Sequence, residues 1–78
     1  CAAPSVLGHM GMLENKRYTC FRGVEQEVEQ AHYTAERVVR DGKIITAKGP
    51  GCSLDFALEI VAALAGDEKA ARLKASMQ

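Results

Sequence analysis

Apolar residues at Val6, Leu7, Met10 and Leu13 recur at helical spacing behind Ala3-Pro4. Proline suits a first helical position, because its missing N–H would be unpaired there anyway. The spacing predicts a helix over residues 3–13, ended by Asn15 and Lys16. Gly8 and Gly11 weaken that helix in isolation and permit close approach of another backbone. Arg17-Tyr18-Thr19-Cys20-Phe21 has strand composition, and Arg22-Gly23 breaks it. The polar run from Val24 to Gln30, with Val24 and Val28 as an i,i+4 apolar pair, suits a short surface helix. Its Glu25, Glu27 and Glu29 read as solvated.

His32-Tyr33-Thr34 leads into Arg37-Val38-Val39-Arg40. Asp41-Gly42 is then a strong two-residue hairpin signal, with Lys43-Ile44-Ile45-Thr46-Ala47 as the returning strand. Gly49-Pro50-Gly51 is a turn, and Ser53 is placed to cap a helix carrying Phe56, Ala57, Ile60, Val61 and Leu64 as its apolar stripe. Gly66 falls where a helix-ending glycine belongs. Asp67 can cap a last short helix with Ala70, Ala71 and Leu73 inward. The order is helix, strand, short helix, hairpin, helix, helix. Strand 44–47 feeding a turn and an amphipathic helix looks like one strand–helix unit of an α/β sheet. One such unit, a hairpin and a short strand leave the helical stripes with too little sheet to bury them. Much of the fold, and most of a parallel sheet, is expected outside these residues.

Composition narrows the function classes. A length of 78 residues allows one small domain at most. Such a chain buries only about 60% of the surface its unfolded form exposes, so it folds marginally alone or leans on something else. Ten basic against ten acidic residues argue against nucleic acid or an anionic membrane as the main partner. No apolar run approaches the ~20 residues of a membrane span, and no stretch reads as a secretory signal. Cys1, Cys20 and Cys52 are odd in number, widely spaced and without a CxxC pair, which reads as free thiols in a reducing compartment. Neither His9, beside the first apolar stripe, nor His32 forms a metal spacing with Cys20 or Cys52, so no metal is expected. His9 reads as a partly buried structural histidine; Cys52, beside a helix start, reads first as a packing residue, with a dipole-activated thiol as the lesser alternative.

Three stretches carry a resemblance: Cys1-Ala2-Ala3-Pro4, His32-Tyr33-Thr34, and the long segment from Asp41 to Leu58. In that segment a hairpin ends in T-x-x-G-P-G and runs on into S-x-x-F-A-L. Together they resemble the ThiJ/PfpI superfamily, in the branch of the Parkinson-disease-associated protein deglycase and bacterial ThiJ-like proteins. The resemblance implies an α/β fold: the C-terminal half of a flavodoxin-like parallel-sheet sandwich, with a β-hairpin and two C-terminal helices. Residues 1–78 would be the C-terminal part of a single domain. The family's nucleophilic cysteine, which lies mid-chain on a strand-to-helix turn, falls at Cys1. Either the chain is a C-terminal fragment with the N-terminal half missing, or, as the preferred expectation, the polypeptide is divided before Cys1 with the N-terminal half as a separate chain. The completed domain is expected to form a homodimer in the cytoplasm.

Cys1 has a physical case of its own. A cysteine just before a helix opening at Pro4 sits at the positive end of the helix dipole, which lowers a thiol below its free value of about 8.5. The thiolate is both the nucleophile and the target of peroxide. Against this stands the ordinary role of cysteine as an inert small hydrophobe, and the resemblance favours the nucleophile. A turn at Cys1 would aim the Ala2 backbone N–H at the attacked group as an oxyanion donor. By the resemblance Gly49 and Pro50 lie near the nucleophile, with Pro50 walling the pocket. Ala2 stands where PfpI-type proteases carry histidine, which counts against a cysteine peptidase. The branch's acid/base glutamate has no counterpart here, and its histidine falls at Phe21.

The implied function is a cofactor-independent glyoxalase or protein deglycase of stress protection, acting on methylglyoxal or glyoxal through a hemithioacetal at Cys1. The alternative is a redox sensor or chaperone switched by oxidation of Cys1 to the sulfinic acid. A self-processed N-terminal nucleophile hydrolase ranks lower, because the chain reads helix first where that fold starts in a strand.

Overall fold

Helix α1 (Pro4–His9) is shorter than the predicted span in the computed structural model, which describes residues 1–77. Its end explains the difference. Gly11 takes φ 76°, its N–H donates to Gly8 O at 3.0 Å, and the Met12 N–H donates to Leu7 O at 3.0 Å. This is the Schellman arrangement, in which a left-handed residue satisfies the last carbonyls of a helix. Gly11 therefore stops the helix two residues after His9.

Strand β1 (Arg17–Tyr18) pairs in parallel with β2 (His32–Tyr33), in the register Arg17 with His32 and Tyr18 with Tyr33. The predicted strand 17–21 leaves the ladder at Thr19. There the backbone N–H donates to Thr46 Oγ1 at 2.9 Å and the hydroxyl donates to Glu36 O at 2.8 Å. The expected helix over 24–30 is a single 3-10 turn, Val24–Glu27, after which Val28 is extended and buried. Glu25 is not merely solvated: its carboxylate accepts the Gly23 N–H at 2.8 Å and closes the start of that turn.

The hairpin forms from β3 (Val38–Asp41) and β4 (Ile44–Ala47), antiparallel and in register from Val38 with Ala47 to Asp41 with Ile44. Its tip is Gly42-Lys43, one residue beyond the predicted Asp41-Gly42. Gly42 takes φ 64° at the first tip position, the pattern of a type II′ turn. Asp41 is left free to accept the Arg17 N–H at 2.8 Å, which ties the hairpin to β1.

Helices α2 (Ser53–Ala65) and α3 (Asp67–Ser76) meet at Gly66, whose φ of 98° no β-branched residue would tolerate. Two predicted caps are absent. Ser53 is the first helical residue and its hydroxyl donates to Pro50 O at 2.7 Å, while Asp67 begins α3 with Gly66 in the cap position.

Leu13, Tyr18, Cys20 and Val28 form the core, with Leu7, Val24, Ala31 and Ile44 packed against them. Leu58 is the buried residue of α2, whereas Phe56, Ile60 and Val61 are half-buried and Ala57 is exposed. Leu64 is 84% exposed. On α3 only Ala70 of the predicted inward trio is half-buried; Ala71 and Leu73 are exposed. The result is a partial α/β fold in which apolar helix faces outrun the sheet available to cover them. No helix among the described residues is long and apolar enough to cross a membrane.

Candidate functional site

Cys1 is held from both sides by the backbone. Its nitrogen donates to Ala47 O at 2.9 Å, and its carbonyl accepts the Phe21 N–H at 2.7 Å. Ala2 O then accepts the Ser5 N–H at 3.0 Å and the Ser5 hydroxyl at 2.8 Å, so the chain turns from Cys1 straight into α1. The Ala2 N–H has no acceptor among the described residues. An N–H left free on the residue after a cysteine is available to a group bound there. The helix behind Cys1 has six residues and opens at Pro4, so the dipole invoked for the thiol is that of a short helix.

A cavity of about 500 Å³ opens at this turn, lined by Cys1, Pro4, Thr46, Gly49, Pro50 and Phe56 among others. The structure thus brings together Cys1, Gly49 and Pro50 from distant parts of the sequence, with Ala2 at the same turn. Pro50 begins a 3-10 turn, Pro50–Cys52, in which the Cys52 N–H donates to Gly49 O at 2.9 Å. The Phe21 ring lies 3.7 Å from the place a Cβ on Gly49 would take, and Phe21 is 46% exposed. Phe21 is therefore a neighbour of the site to which the sequence reading gave no role. The one signal was its position after β1, where the resemblance leads one to look for histidine.

The other thiols differ sharply from Cys1, which is exposed. Cys20 is fully buried, and burial, then the charge of Glu25, pushes its thiol up. Tyr18 is pushed up to about 12, chiefly by burial, then by the charges of Cys20 and Glu25. Its ring meets that of Tyr33 edge to face at 5.9 Å. Cys52 is buried, as a packing residue would be. His9 is exposed, not partly buried as predicted, because α1 ends at it; it borders a polar hollow with Glu14, Glu27 and Glu29. His32 is exposed on β2. Among the described residues no three His, Cys, Asp or Glu side chains are gathered for a metal ion.

Known proteins share this sequence pattern and fold. Residues 1–63 match the model of the DJ-1/PfpI family. Protein dj-1beta of Drosophila melanogaster is 42% identical over 71 residues, covering 88% of this chain and 38% of the relative. The glutathione-independent glyoxalase DJR-1.2 of Caenorhabditis elegans is 39% identical over 71 residues, with the same two coverages of 88% and 38%. The DJ-1 of Toxoplasma gondii, solved in an oxidised form, superposes with a TM-score of 0.89 at 27% identity, covering 99% of this chain and 42% of that one. The chain spans about two fifths of the length of these relatives. With most of its length matching the family model and its architecture matching a solved relative, the chain belongs to the DJ-1/PfpI family.

Proposed function

We propose that this chain supplies the nucleophile of a cofactor-independent glyoxalase acting on methylglyoxal or glyoxal. The observation that carries the reading is Cys1, an exposed cysteine that lines a cavity, followed in the chain by an Ala2 N–H without an acceptor among the described residues. The similarity to a glutathione-independent glyoxalase supports the substrate class. The remaining polypeptide of the domain, the N-terminal half in the relatives, supplies the acid/base and the second oxyanion donor.

The chemistry needs no external oxidant. The Cys1 thiolate attacks the aldehyde carbon, a C–S bond forms, and the carbonyl electron pair moves to oxygen, where the Ala2 N–H meets it. The acid/base then moves the proton of that carbon to the adjacent carbonyl carbon by way of an enediol. The first carbon is oxidised to a thioester while the second is reduced to an alcohol. Water cleaves the C–S bond and releases lactate from methylglyoxal, or glycolate from glyoxal, with the thiolate restored.

The test is Cys1→Ser in the completed domain. Lactate formation is lost while the thermal melt stays in place; a variant that keeps the wild-type rate overturns the reading. A second reading, a redox sensor, draws on the exposure of Cys1 against the burial of Cys20 and Cys52. Under mild peroxide the Cys1 peptide gains two oxygens first in mass spectra. Equal oxidation of all three thiols removes that reading.

A further inference from the structure

The cavity wall at Gly49 and Pro50 has almost nothing of its own to hold it. Gly49 and Gly51 have no side chains, and Pro50 has no N–H and is exposed. The internal bonds of the turn, Cys52 N–H to Gly49 O and Ser53 Oγ–H to Pro50 O, shape it without fixing it to the hairpin. One residue brackets it from outside. The Arg37 carbonyl accepts the Lys48 N–H at 3.0 Å just before the wall, and Arg37 Nη2 donates to Gly51 O at 2.8 Å just after it. The same guanidinium is aimed by Asp55 on the first turn of α2, with Nε to Oδ2 at 3.1 Å.

We propose that Arg37, oriented by Asp55, is a positioning residue that sets the Gly49-Pro50 wall of the Cys1 cavity. Arg37 does not line that cavity and acts through the turn. Stability gives little reason for the arrangement. The two side chains are 62% and 45% exposed, and pairs so open add little to stability. The geometry does give one: two separate donors of a planar fork reach two acceptors, one on the turn and one on the helix behind it. A lysine keeps the charge and loses the fork.

The kinetic arm rests on the glyoxalase reading, and a chemical arm does not. Arg37→Lys, Asp55→Asn and a control, Arg40→Gln, are made in the completed domain. Arg40 pairs with Glu59 at 2.9 Å on the same hairpin, away from the Cys1 cavity. Arg37→Lys raises KM for methylglyoxal about tenfold with kcat within about twofold, as lost substrate contact does. Asp55→Asn, which keeps the Gly51 bond, raises KM less, and Arg40→Gln changes neither constant. A purely structural role instead lowers kcat through fewer folded molecules and leaves KM alone, which overturns the proposal. In the second arm Cys1 is alkylated by iodoacetamide and by the bulkier N-phenylmaleimide. A loosened wall in Arg37→Lys shifts the ratio of the two rates toward the bulky reagent about threefold. If the wild type turns over no aldehyde, the glyoxalase reading falls and this ratio alone decides; an unchanged ratio overturns the role of Arg37.

Discussion

Gly8→Ala sets two well-measured effects against each other. Alanine is the better helix former by about 0.8–1 kcal/mol in a helix interior, and Gly8 lies within α1. The added Cβ, however, would stand 2.8 Å from Val28 Cγ1, 3.1 Å from Cγ2 and 3.3 Å from Val28 Cβ. All three atoms belong to one β-branched residue that is 8% exposed, so no change of rotamer clears the space. Overpacking of this kind costs about 1–3 kcal/mol. The balance is a net loss of about 1 kcal/mol or more, since the helix is short and the propensity gain is partial. Val28→Ala removes both methyl groups and itself costs about 1.5 kcal/mol. On that background Gly8→Ala becomes neutral to favourable, with the Cβ at position 28 still 3.3 Å away and trimming the gain. Urea unfolding of the four proteins in the completed domain gives the cycle, with a coupling of about 2 kcal/mol. A Gly8→Ala protein more stable than wild type, or a coupling under about 0.5 kcal/mol, refutes the packing argument.

Two further outcomes follow from buried groups. Thr46→Val, close to isosteric, leaves the fully buried Thr19 N–H without its 2.9 Å acceptor and lowers the unfolding free energy from urea titration by about 1–3 kcal/mol, whereas Thr46→Ser restores it. Tyr18 is held protonated in the fold up to about 12 against 10.0 ordinarily, and Cys20 is raised too, so their contribution is complete below the unfolded values and is lost as pH climbs through the folded ones. Stability measured from pH 9 to 12 therefore falls with a slope that Tyr18→Phe makes shallower; equal slopes contradict the shift.

The parts of the fold that announce themselves in the sequence are those where backbone chemistry is local. Gly42 marks the hairpin because a type II′ tip needs a positive φ, and the misplacement by one residue reflects that the same glycine serves second in a type I′ Asp-Gly tip or first in a type II′ Gly-Lys tip. Strand β2 left no trace: two exposed residues, His32 and Tyr33, make a parallel ladder through backbone alone and carry no alternating pattern. Gly11 read as a weakness of α1 because a helix-ending glycine and a helix-weakening one are the same letter. On α2 the period was right and the burial was not, since periodicity reports a face without reporting what covers it. That Cys1, Gly49 and Pro50 come to line one cavity was legible through the resemblance. Phe21 and Arg37 were not, because their nearness to the cavity exists only once β1, the hairpin and α2 have met.

The two backbone bonds of Cys1 reach Phe21 on one side and Ala47 on the other, so the turn at Cys1 is laced between segments that are themselves joined only through tertiary contacts. Closing so distant a loop comes late in folding and opens early on heating or in denaturant. A sulfur anchored in this way is a gauge of the whole weave: slackening anywhere between the first strand and the hairpin unseats it while most helices still stand.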